Sequence, residues 1–280
     1  MGKVMKKVLQ KRILLLRFVR FSFIMNKTMF RRGMRVGELI AVLSGKGGTG
    51  KTSLCAGIAT ALAEQGQKVL CIDCDIGLRN LDISLGLADT NALSFREVCD
   101  GDYDLEQADS HPAFPSLRFL TAPMNCAPEA IDRKAFGDML RRARTLFDYV
   151  FLDAPAGIDT GFRLCASFAD RLILVTGSDP ASIRDAARTG EVLELMGKDN
   201  IRLIVNRIQP RMFDGMGITV DDVMDRAGLP LLGIVPEDPS VIFAAAAHKP
   251  LLKLGKKGAA AACRRIAKRI RGLPVPLSIR

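Results

Sequence analysis

The sequence has 280 residues and a formal net charge of +11 at pH 7, but the positive charge is confined to the two ends of the chain. Residues 1–37 hold eleven Lys or Arg and residues 239–280 hold ten, with no acid in either segment, which leaves 20 basic and 30 acidic residues in 38–238. This acidic body excludes a uniformly basic nucleic-acid-binding domain, although either basic end could bind phosphate or anionic lipid.

The first apolar stretch is "KRILLLRFVRFSFIM" at residues 11–25. It has about 13 apolar residues interrupted by Arg17 and Arg20, whereas a membrane span needs about 20, and no small-residue cleavage site of a secretory signal follows it. Two interpretations stay open for an N-terminal extension over residues 1–36: a basic amphipathic helix on an anionic membrane, or sequence upstream of a later start. The alternative starts are Met25, Met29 and Met34.

From residue 38 onward, short apolar runs of strand length alternate with segments of helical period. The predicted strands are 38–44, 68–73, 117–122, 149–154, 171–176, 201–206 and 231–236. The predicted helices between them are 50–65, 128–146, 160–168, 179–197 and 219–227. This alternation indicates a single doubly wound α/β domain, a mostly parallel sheet with helices on both faces. Ligands bind such sheets beyond the carboxyl ends of the strands.

The first strand leads into a complete phosphate-loop signature, "GKGGTGKTS", at the start of a predicted helix. Its glycines let backbone N–H groups turn toward phosphates, and the helix N-terminus favours anions. Lys51 is expected to reach the β- and γ-phosphates of ATP, and the Thr52 hydroxyl to ligate Mg²⁺. The residues expected to bind the nucleotide here are Gly45, Lys46, Gly47, Gly48, Thr49, Gly50, Lys51, Thr52 and Ser53.

The second polar strand end is "CIDCDIGLRNLD". Asp73 and Asp75 lie at and just past the end of the strand, and Asn80 follows in a loop. Carboxylates there can hold the water shell of Mg²⁺ or orient an attacking water, and an amide can contact phosphate. A solvated turn is the alternative, since Asp, Asn and Gly are common in turns.

The third polar strand end is "YVFLDAPAG". Four apolar residues end in Asp153, the pattern of a Walker B strand whose carboxylate supports the metal. Pro155 and Gly157 are expected to turn the chain beside the γ-phosphate. Three strand ends therefore predict one site for Mg²⁺ and a nucleotide.

Seven cysteines, an odd number set mostly in apolar runs, indicate buried thiols in a reducing compartment. Cys71 and Cys74 form a CxxC pair, but residues three apart in a strand point to opposite faces, so no metal site is expected there. Near the C-terminus, "GAAAACRRIAKRIRG" (258–272) predicts a helix packed on the body through its Ala and Ile face, with a lipid-binding helix as the alternative. The ATPase domain is thus predicted over 37–272, with a short tail at 273–280.

These motifs resemble the MinD/ParA family of deviant Walker A ATPases. "KGGTGKT" looks like the family's phosphate loop. "DCDIGLRNLDISLGL", "FDYVFLDAPAGIDTGF", "DPASIRDAARTGEVLE" and "LLGIVPEDPSV" are similar to its MinD branch, the septum site-determining ATPases. The resemblance covers about residues 37 to 277.

The resemblance implies a Mg²⁺-dependent ATPase that forms a homodimer when ATP is bound. A lysine at the position of Lys46 reaches the partner's ATP in this family, and Lys51 and Asp75 complete the catalytic set, with Asp75 orienting the hydrolytic water. The other roles that the resemblance implies are metal binding by Thr52, Asp73 and Asp153, γ-phosphate contact by Asn80, Pro155 and Gly157, and adenine recognition by Asn206 with Pro236 and Asp238 nearby.

The resemblance also implies partners. The helix that contains Ser182, Arg184, Asp185 and Arg188 lies where family members meet a MinC-like inhibitor and a MinE- or DivIVA-linked regulator; an ordinary solvated helix face is the alternative. A cytoplasmic location is implied, with peripheral attachment to the inner face of the cell membrane as an option, and nucleic acid is not expected as a partner. The family's usual C-terminal membrane helix does not follow "LPVPLSIR", and the N-terminal "KRILLLRFVRFSF" could substitute for it on an anionic membrane.

Other functions in the same superfamily are alternatives. A ParA-type partition ATPase is favoured by the basic C-terminal end and opposed by "GLRNLD" and "DAPAG". A flagellar-number ATPase shares most of the motifs. An iron–sulfur relative such as the nitrogenase iron protein would need cysteines in metal-ligating loops, and Cys99 and Cys126 lack that pattern.

Overall fold

The computed structural model describes residues 36–88, 90–124, 126–209 and 219–278. The chain from Gly37 onward forms one compact unit. The predicted N-terminal helix and the alternative starts lie outside the described residues, so both interpretations of the extension stay predictions.

The described residues contain one eight-stranded sheet. Its strands are β1 (Glu38–Leu43), β2 (Val69–Asp73), β3 (Ser110–His111), β4 (Phe114–Leu120), β5 (Tyr149–Asp153), β6 (Arg171–Thr176), β7 (Ile201–Ile208) and β8 (Leu231–Pro236). The strand order is β3-β4-β2-β5-β1-β6-β7-β8, and all pairings are parallel except that of β3 with β4. The central strands are almost continuously apolar because helices cover both faces of the sheet.

Helices form the two outer layers. They are α1 (Lys51–Glu64), α2 (Leu81–Leu85), α3 (Phe95–Asp100), α4 (Arg133–Leu146), α5 (Thr160–Phe168), α6 (Pro180–Leu195), α7 (Val220–Ala227), α8 (Ser240–Ala246), α9 (Leu251–Leu254) and α10 (Gly258–Ile270). One apolar layer joins the sheet to α1, α2, α8, α9 and α10, and the other joins it to α3 through α7. The predicted doubly wound architecture and all seven predicted strands are therefore confirmed.

Most differences from the predicted elements concern short segments. β3 has two residues, and α2, α3, α8 and α9 have four to seven, too few to show a period in the sequence. The predicted helix 128–146 begins only at Arg133, because the Asp132 carboxylate caps it by accepting the N–H groups of Lys134 and Ala135. A separate 3₁₀ turn, Pro128–Ala130, precedes it.

Cys71 and Cys74 lie on opposite faces of the sheet, as their spacing predicts. Cys71 is buried in the layer that contains α1, whereas Cys74 is buried in the opposite layer. Within the described parts of the chain, no group of three or more His, Cys, Asp or Glu side chains could hold a metal ion by itself. No helix among those residues is both long enough and apolar enough to cross a membrane.

The sheet order brings the three polar strand ends together. β5 lies between β2 and β1, and Asp153 is in register with Asp73 on one side and with Val42 on the other. α8, which follows β8, packs against α2, which follows β2. The chain after β8 therefore lies at the same edge of the sheet as the ends of β2 and β5. Residues from both halves of the sheet therefore border the edge where the phosphate loop begins.

Candidate active site

The phosphate loop joins β1 to α1, and its shape depends on glycine at two close approaches. Gly50 has a φ of 84°, and a Cβ there would overlap the amide of Asn206. That amide donates a hydrogen bond to the Thr49 carbonyl over 2.8 Å. A Cβ on Gly45 would overlap the Thr189 hydroxyl of α6. Larger residues at either glycine would push the loop away from β7 or α6.

Lys51 and Asp153 form a buried ion pair at the centre of the site. The Lys51 Nζ lies 2.7 Å from Asp153 Oδ1, and the two side chains are only 6% and 1% exposed. Burial alone lowers the pKa of Lys51, but the charge and hydrogen bond of Asp153 outweigh it and raise that pKa. Burial raises the pKa of Asp153, against the attraction of Lys51. In this structure the lysine therefore pairs with a carboxylate at the place where a phosphate is expected.

Among the described residues, three buried polar atoms in and beside this ion pair have no hydrogen-bond partner. They are Ser44 Oγ, Thr49 Oγ1 and Asp153 Oδ2, and all belong to the phosphate loop or to the strand end beside it. Buried polar atoms are nearly always satisfied in native proteins, so a cluster of unpaired ones indicates a missing partner. Hydroxyl donors and a carboxylate oxygen fit phosphate oxygens and a hydrated Mg²⁺, respectively.

Asp73 lies beside Asp153 on the neighbouring strand and is fully buried. Burial and the Asp153 charge raise the pKa of Asp73 to about 7, although the N–H groups of Asp75 and Leu81 donate hydrogen bonds to its carboxylate. Two neighbouring buried carboxylates that share a single ammonium group, that of Lys51, do not ionise together easily without a further cation. The pair therefore fits a site for Mg²⁺, whose charge would favour the ionised form of both.

Asp75 and Asn80 follow β2 at the same edge. Asp75 is half-buried; burial raises its pKa and the Lys51 charge lowers it. Asn80 is exposed at the start of α2, and its side chain makes no capping hydrogen bond there. Across the site, the Gly157 N–H donates to the Ser44 carbonyl over 3.0 Å, which ties the Pro155–Gly157 turn to the phosphate loop. The structure thus brings these predicted residues to one edge.

Lys46 differs from Lys51 because it points outward. Its side chain is 40% exposed, and its Nζ lies 3.8 Å from carboxylate oxygens of both Asp179 and Asp185. These long, exposed contacts are weak. Lys46 therefore does not contact the buried ion pair of its own chain and could be released at small cost.

Comparison with known proteins assigns the site to a family. Residues 40–251 match the CobQ/CobB/MinD/ParA nucleotide binding domain. The septum site-determining protein MinD of Synechocystis is 36% identical over 244 residues, which cover 85% of this chain and 91% of that protein. MinD of Bacillus subtilis is 37% identical over 250 residues, 87% of this chain and 92% of that protein. The chain belongs to the MinD/ParA family.

Solved MinD structures support the same assignment. The MinC:MinD cell division protein complex of Aquifex aeolicus matches with a TM-score of 0.80 and 36% identity, covering 86% of this chain and 98% of that one. MinD of Pyrococcus horikoshii, solved with Mg-ADP, matches with a TM-score of 0.72 and 29% identity over 84% of this chain and 96% of that one. A ParA family ATPase of Chlorobium tepidum, at 22% identity and a TM-score of 0.72, shares the fold.

The residues predicted to recognise adenine lie at the same edge of this MinD/ParA fold. Asn206 is buried near the end of β7 and supports the phosphate loop through Thr49. Pro236 ends β8. The Asp238 carboxylate accepts the N–H groups of Ser240 and Ala259, so it joins the starts of α8 and α10. Adenine recognition by these residues stays a prediction.

The predicted partner helix of this MinD/ParA chain is α6, and its four candidate residues differ in exposure. Arg184 and Arg188 are exposed one turn apart, and Asp185 is half-exposed. Ser182 is only 3% exposed and bonds to Asp179, so its side chain faces inward. The helix can therefore offer a partner its arginines, whereas Ser182 shapes the helix start.

The sequence patterns did not predict two residues of the site. Asp179 caps α6 and also contacts Lys46; the signal that could have found it is the Asp-Pro pair at a helix start. Ser44, the residue after β1, contributes a hydroxyl that has no hydrogen-bond partner in the described part of the chain. Its only signal is its position one residue before the phosphate-loop motif.

Proposed function

We propose that this protein is a MinD-type, Mg²⁺-dependent ATPase that forms a homodimer with ATP bound and takes part in placing the division septum. The main support for ATP binding and hydrolysis is the set of buried polar atoms around the Lys51–Asp153 ion pair that lack a partner among the described residues. The similarity to MinD proteins over most of the chain supports the cellular role.

Nucleotide binding requires Lys51 to exchange partners. Its ammonium group would leave Asp153 for the β- and γ-phosphates, and Asp153 and Asp73 would then face Mg²⁺ together with the Thr52 hydroxyl. Mg²⁺ supplies charge stabilisation on the phosphate oxygens. Asp75, half-buried beside the site, orients and partly deprotonates the attacking water. Loss of the internal ion pair is thereby offset by the new contacts.

Hydrolysis by a single chain is expected to be slow because Lys46 points away from its own site. A second cation near the transferred phosphoryl group is worth orders of magnitude in rate. Lys46 could reach the phosphates of a second copy after leaving Asp179 and Asp185. The outward position of this lysine supports a site that is completed only in the dimer.

An exposed apolar rim beside the site supports the same arrangement. It consists of Leu78 after β2, Ile83 on α2, and Ile242 and Phe243 on α8, and three of these four side chains are more than two-thirds exposed. α2 and α8 pack together, which joins these segments into one border. Acidic groups lie nearby, including Asp75 and Asp82. An anionic membrane would be repelled by them, whereas a second copy would bring its own Lys46.

The comparison with the MinC:MinD complex supports a MinC-like inhibitor as a partner of α6. We extend the proposal to a MinE- or DivIVA-linked regulator that accelerates hydrolysis, and to a cytoplasmic protein that attaches peripherally to the membrane. The exposed Arg184 and Arg188 would meet acidic groups of such partners.

The C-terminal arginines do not favour the ParA-type alternative. Arg264 pairs with Glu64 through two hydrogen bonds. Arg269 donates to the carbonyls of Leu232, Val275 and Pro276. Guanidinium groups that are used inside the fold are not available to neutralise DNA phosphates.

The proposal is tested by light scattering during gel filtration of the full chain with Mg-ATP or Mg-ADP. Wild type should dimerise with ATP only. Lys46→Ala should bind ATP and stay monomeric. Phe243→Ser should weaken the dimer by about tenfold or more, because burial of a Phe side chain contributes about 1.5–3 kcal/mol. Leu195→Ser removes an even more exposed apolar residue outside the rim and should behave as wild type.

A monomeric wild type with ATP bound would contradict the dimer. The cellular role is tested separately by a fluorescent fusion in dividing cells. The wild-type fusion should be concentrated at the septum or at the cell poles, whereas the Lys46→Ala fusion should be distributed evenly through the cell. The same distribution for both proteins would contradict a role of the Lys46-dependent dimer in placing the septum.

A further inference from the structure

A groove separate from the nucleotide site lies beside α3 and is lined also by the loops on either side of this helix, by Arg79 and by residues 121–124, which follow β4. It has two compartments of about 420 and 470 Å³, and both are lined by Arg79, Ala92 and Glu97. Volumes of this size fit small-molecule ligands. Nothing in the proposed ATPase cycle uses this groove.

Two unpaired polar atoms belong to groove-lining residues. The Thr121 side chain is 97% buried, and its Oγ1 has no hydrogen-bond partner among the described residues; the buried Nε of Arg79 also lacks one. The phosphate loop and the Asp153 strand end carry the same kind of unpaired atoms, and there they fit a nucleotide and Mg²⁺. By the same reasoning, the unpaired atoms of Thr121 and Arg79 indicate a ligand that supplies their missing partners.

The chemistry of these two groups defines the ligand. A guanidinium N–H can only donate, and a hydroxyl can donate, so both suit acceptor oxygens. Thr121 lines the 420 Å³ compartment, and the other charged groups there are already engaged: Glu97 accepts the Ser94 N–H over 2.8 Å, and Arg96 pairs with Asp100 over 3.2 Å. The carboxylate of Asp109 lines the 470 Å³ compartment instead. Arg79 is left as the cation without a carboxylate partner among the described residues.

Arg79 connects the groove to the hydrolysis site. It lies between Asp75 and Asn80, and its N–H donates to the Asp75 carbonyl over 3.3 Å. Its φ is 41°, in the left-handed region that a residue with a side chain rarely adopts. A ligand that pulls on the Arg79 side chain would therefore act on the loop that carries Asp75.

We propose that this groove binds a small oxyanion, a carboxylate or a phosphate, between Arg79 and Thr121, and that the bound anion alters ATP hydrolysis through the Asp75–Asn80 loop. The binding part stands on the groove alone. The effect on hydrolysis rests on the proposed ATPase function.

Binding is tested by NMR on the full chain saturated with Mg-ADP, which fills the phosphate loop. Succinate and inorganic phosphate are titrated separately, and the Arg79 Nε–H resonance is followed after assignment by its loss in Arg79→Lys. A saturable shift is expected with at least one anion, and the one that saturates identifies the ligand chemistry. A shift that only drifts with ionic strength overturns the proposal.

Thr121→Val provides the decisive variant because it keeps the shape of the side chain and removes only the hydroxyl. The anion should bind about tenfold more weakly, as expected for one lost hydrogen bond to a charged group. Thr60→Val is the matched control, since Thr60 is equally buried but its hydroxyl donates to Ala56 on α1. Equal affinity in wild type and Thr121→Val would overturn the proposal that the anion binds at the Thr121 hydroxyl.

The link to hydrolysis has its own readout. The anion should change the steady-state ATP turnover of wild type, and Thr121→Val should need about tenfold more anion for the same change. Binding without any change in wild-type turnover overturns the coupling. A wild type that hydrolyses no ATP instead contradicts the proposed function, while the NMR titration still decides whether the groove binds.

Discussion

Lys51 and Asp153 occupy the centre of the site, and their ion pair has a large effect because water is excluded from it. Taking two charges out of water is costly, and mutual attraction offsets that cost only while both are present. Removal of one partner leaves the other buried and unpaired. The stability of the ligand-free protein is therefore tied to the residues that bind the nucleotide.

Asp153→Asn should lower the free energy of unfolding of the ligand-free protein by about 3–5 kcal/mol, because Lys51 then stays buried without its counter-charge. Urea denaturation at pH 7 in EDTA measures this loss. Asp73→Asn is the matched control on the neighbouring strand; it removes a carboxylate that is already partly protonated at this pH and should cost far less. If the two variants lose equal free energy of unfolding, the Lys51–Asp153 ion pair does not stabilise the protein more than Asp73 does.

Asp73 should make the ligand-free protein less stable as the pH rises. Its pKa is about 7 in the folded chain and near 3.8 when exposed, so the folded state holds a proton that the unfolded state releases. The stabilisation is complete below about pH 4 and is lost as the pH rises through 7. Urea midpoints from pH 4.5 to 8 should show this slope in wild type and lose much of it in Asp73→Asn. Mg²⁺ affinity should rise over the same range, since the metal needs the ionised carboxylate.

At the scale of single elements, two carboxylates at the start of α6, those of Asp179 and Asp185, contact Lys46. They differ in what they contribute to the helix. Asp179 caps the helix by accepting the Ser182 N–H over 2.9 Å, and Asp185 lies in the second turn. Asp179→Ala should cost about 1 kcal/mol of stability through the lost cap. Asp185→Ala should cost less than about 0.5 kcal/mol, as exposed pairs do.

Both variants should nevertheless strengthen ATP-dependent dimerisation, because each frees Lys46 to reach a second copy. Analytical ultracentrifugation with a slowly hydrolysed ATP analogue, combined with thermal melts, separates the two effects. If dimer affinity follows stability instead, so that Asp179→Ala weakens the dimer and Asp185→Ala leaves it unchanged, the helix does not restrain Lys46.

The long elements and the phosphate loop could be predicted because their signals are local. Strands such as β5 are near-continuous apolar runs, and the loop motif has fixed spacing. The contact of Lys46 with α6 could not be predicted from the sequence, because it joins residues more than 130 positions apart. Asn206 shows the same limit, since its bond to Thr49 depends on the order of β1, β6 and β7 in the sheet.

At the scale of the whole molecule, charge is segregated along the chain. The body from 38 to 238 has a net charge of −10, and the N-terminal segment 1–37 has eleven basic residues with no acid. The C-terminal arginines that bond within the fold, Arg264 and Arg269, are not free to bind lipid. The ten basic residues of 239–280 balance the −10 of 38–238, so residues 38–280 together carry no net charge to attract an anionic membrane.

The N-terminal segment is therefore the part of the chain with the composition for binding anionic lipid, since it combines Lys and Arg with Phe and Leu. Sedimentation with phosphatidylglycerol vesicles should recover the full chain, with more bound in ATP than in ADP because a dimer presents two segments. A chain that starts at Met34 should stay in the supernatant, and neutral phosphatidylcholine vesicles should recover neither. Equal, ATP-insensitive binding by both chains would contradict this role of the segment. An intact mass of the natively expressed protein that corresponds to a start at Met34 would remove the segment from the mature protein altogether.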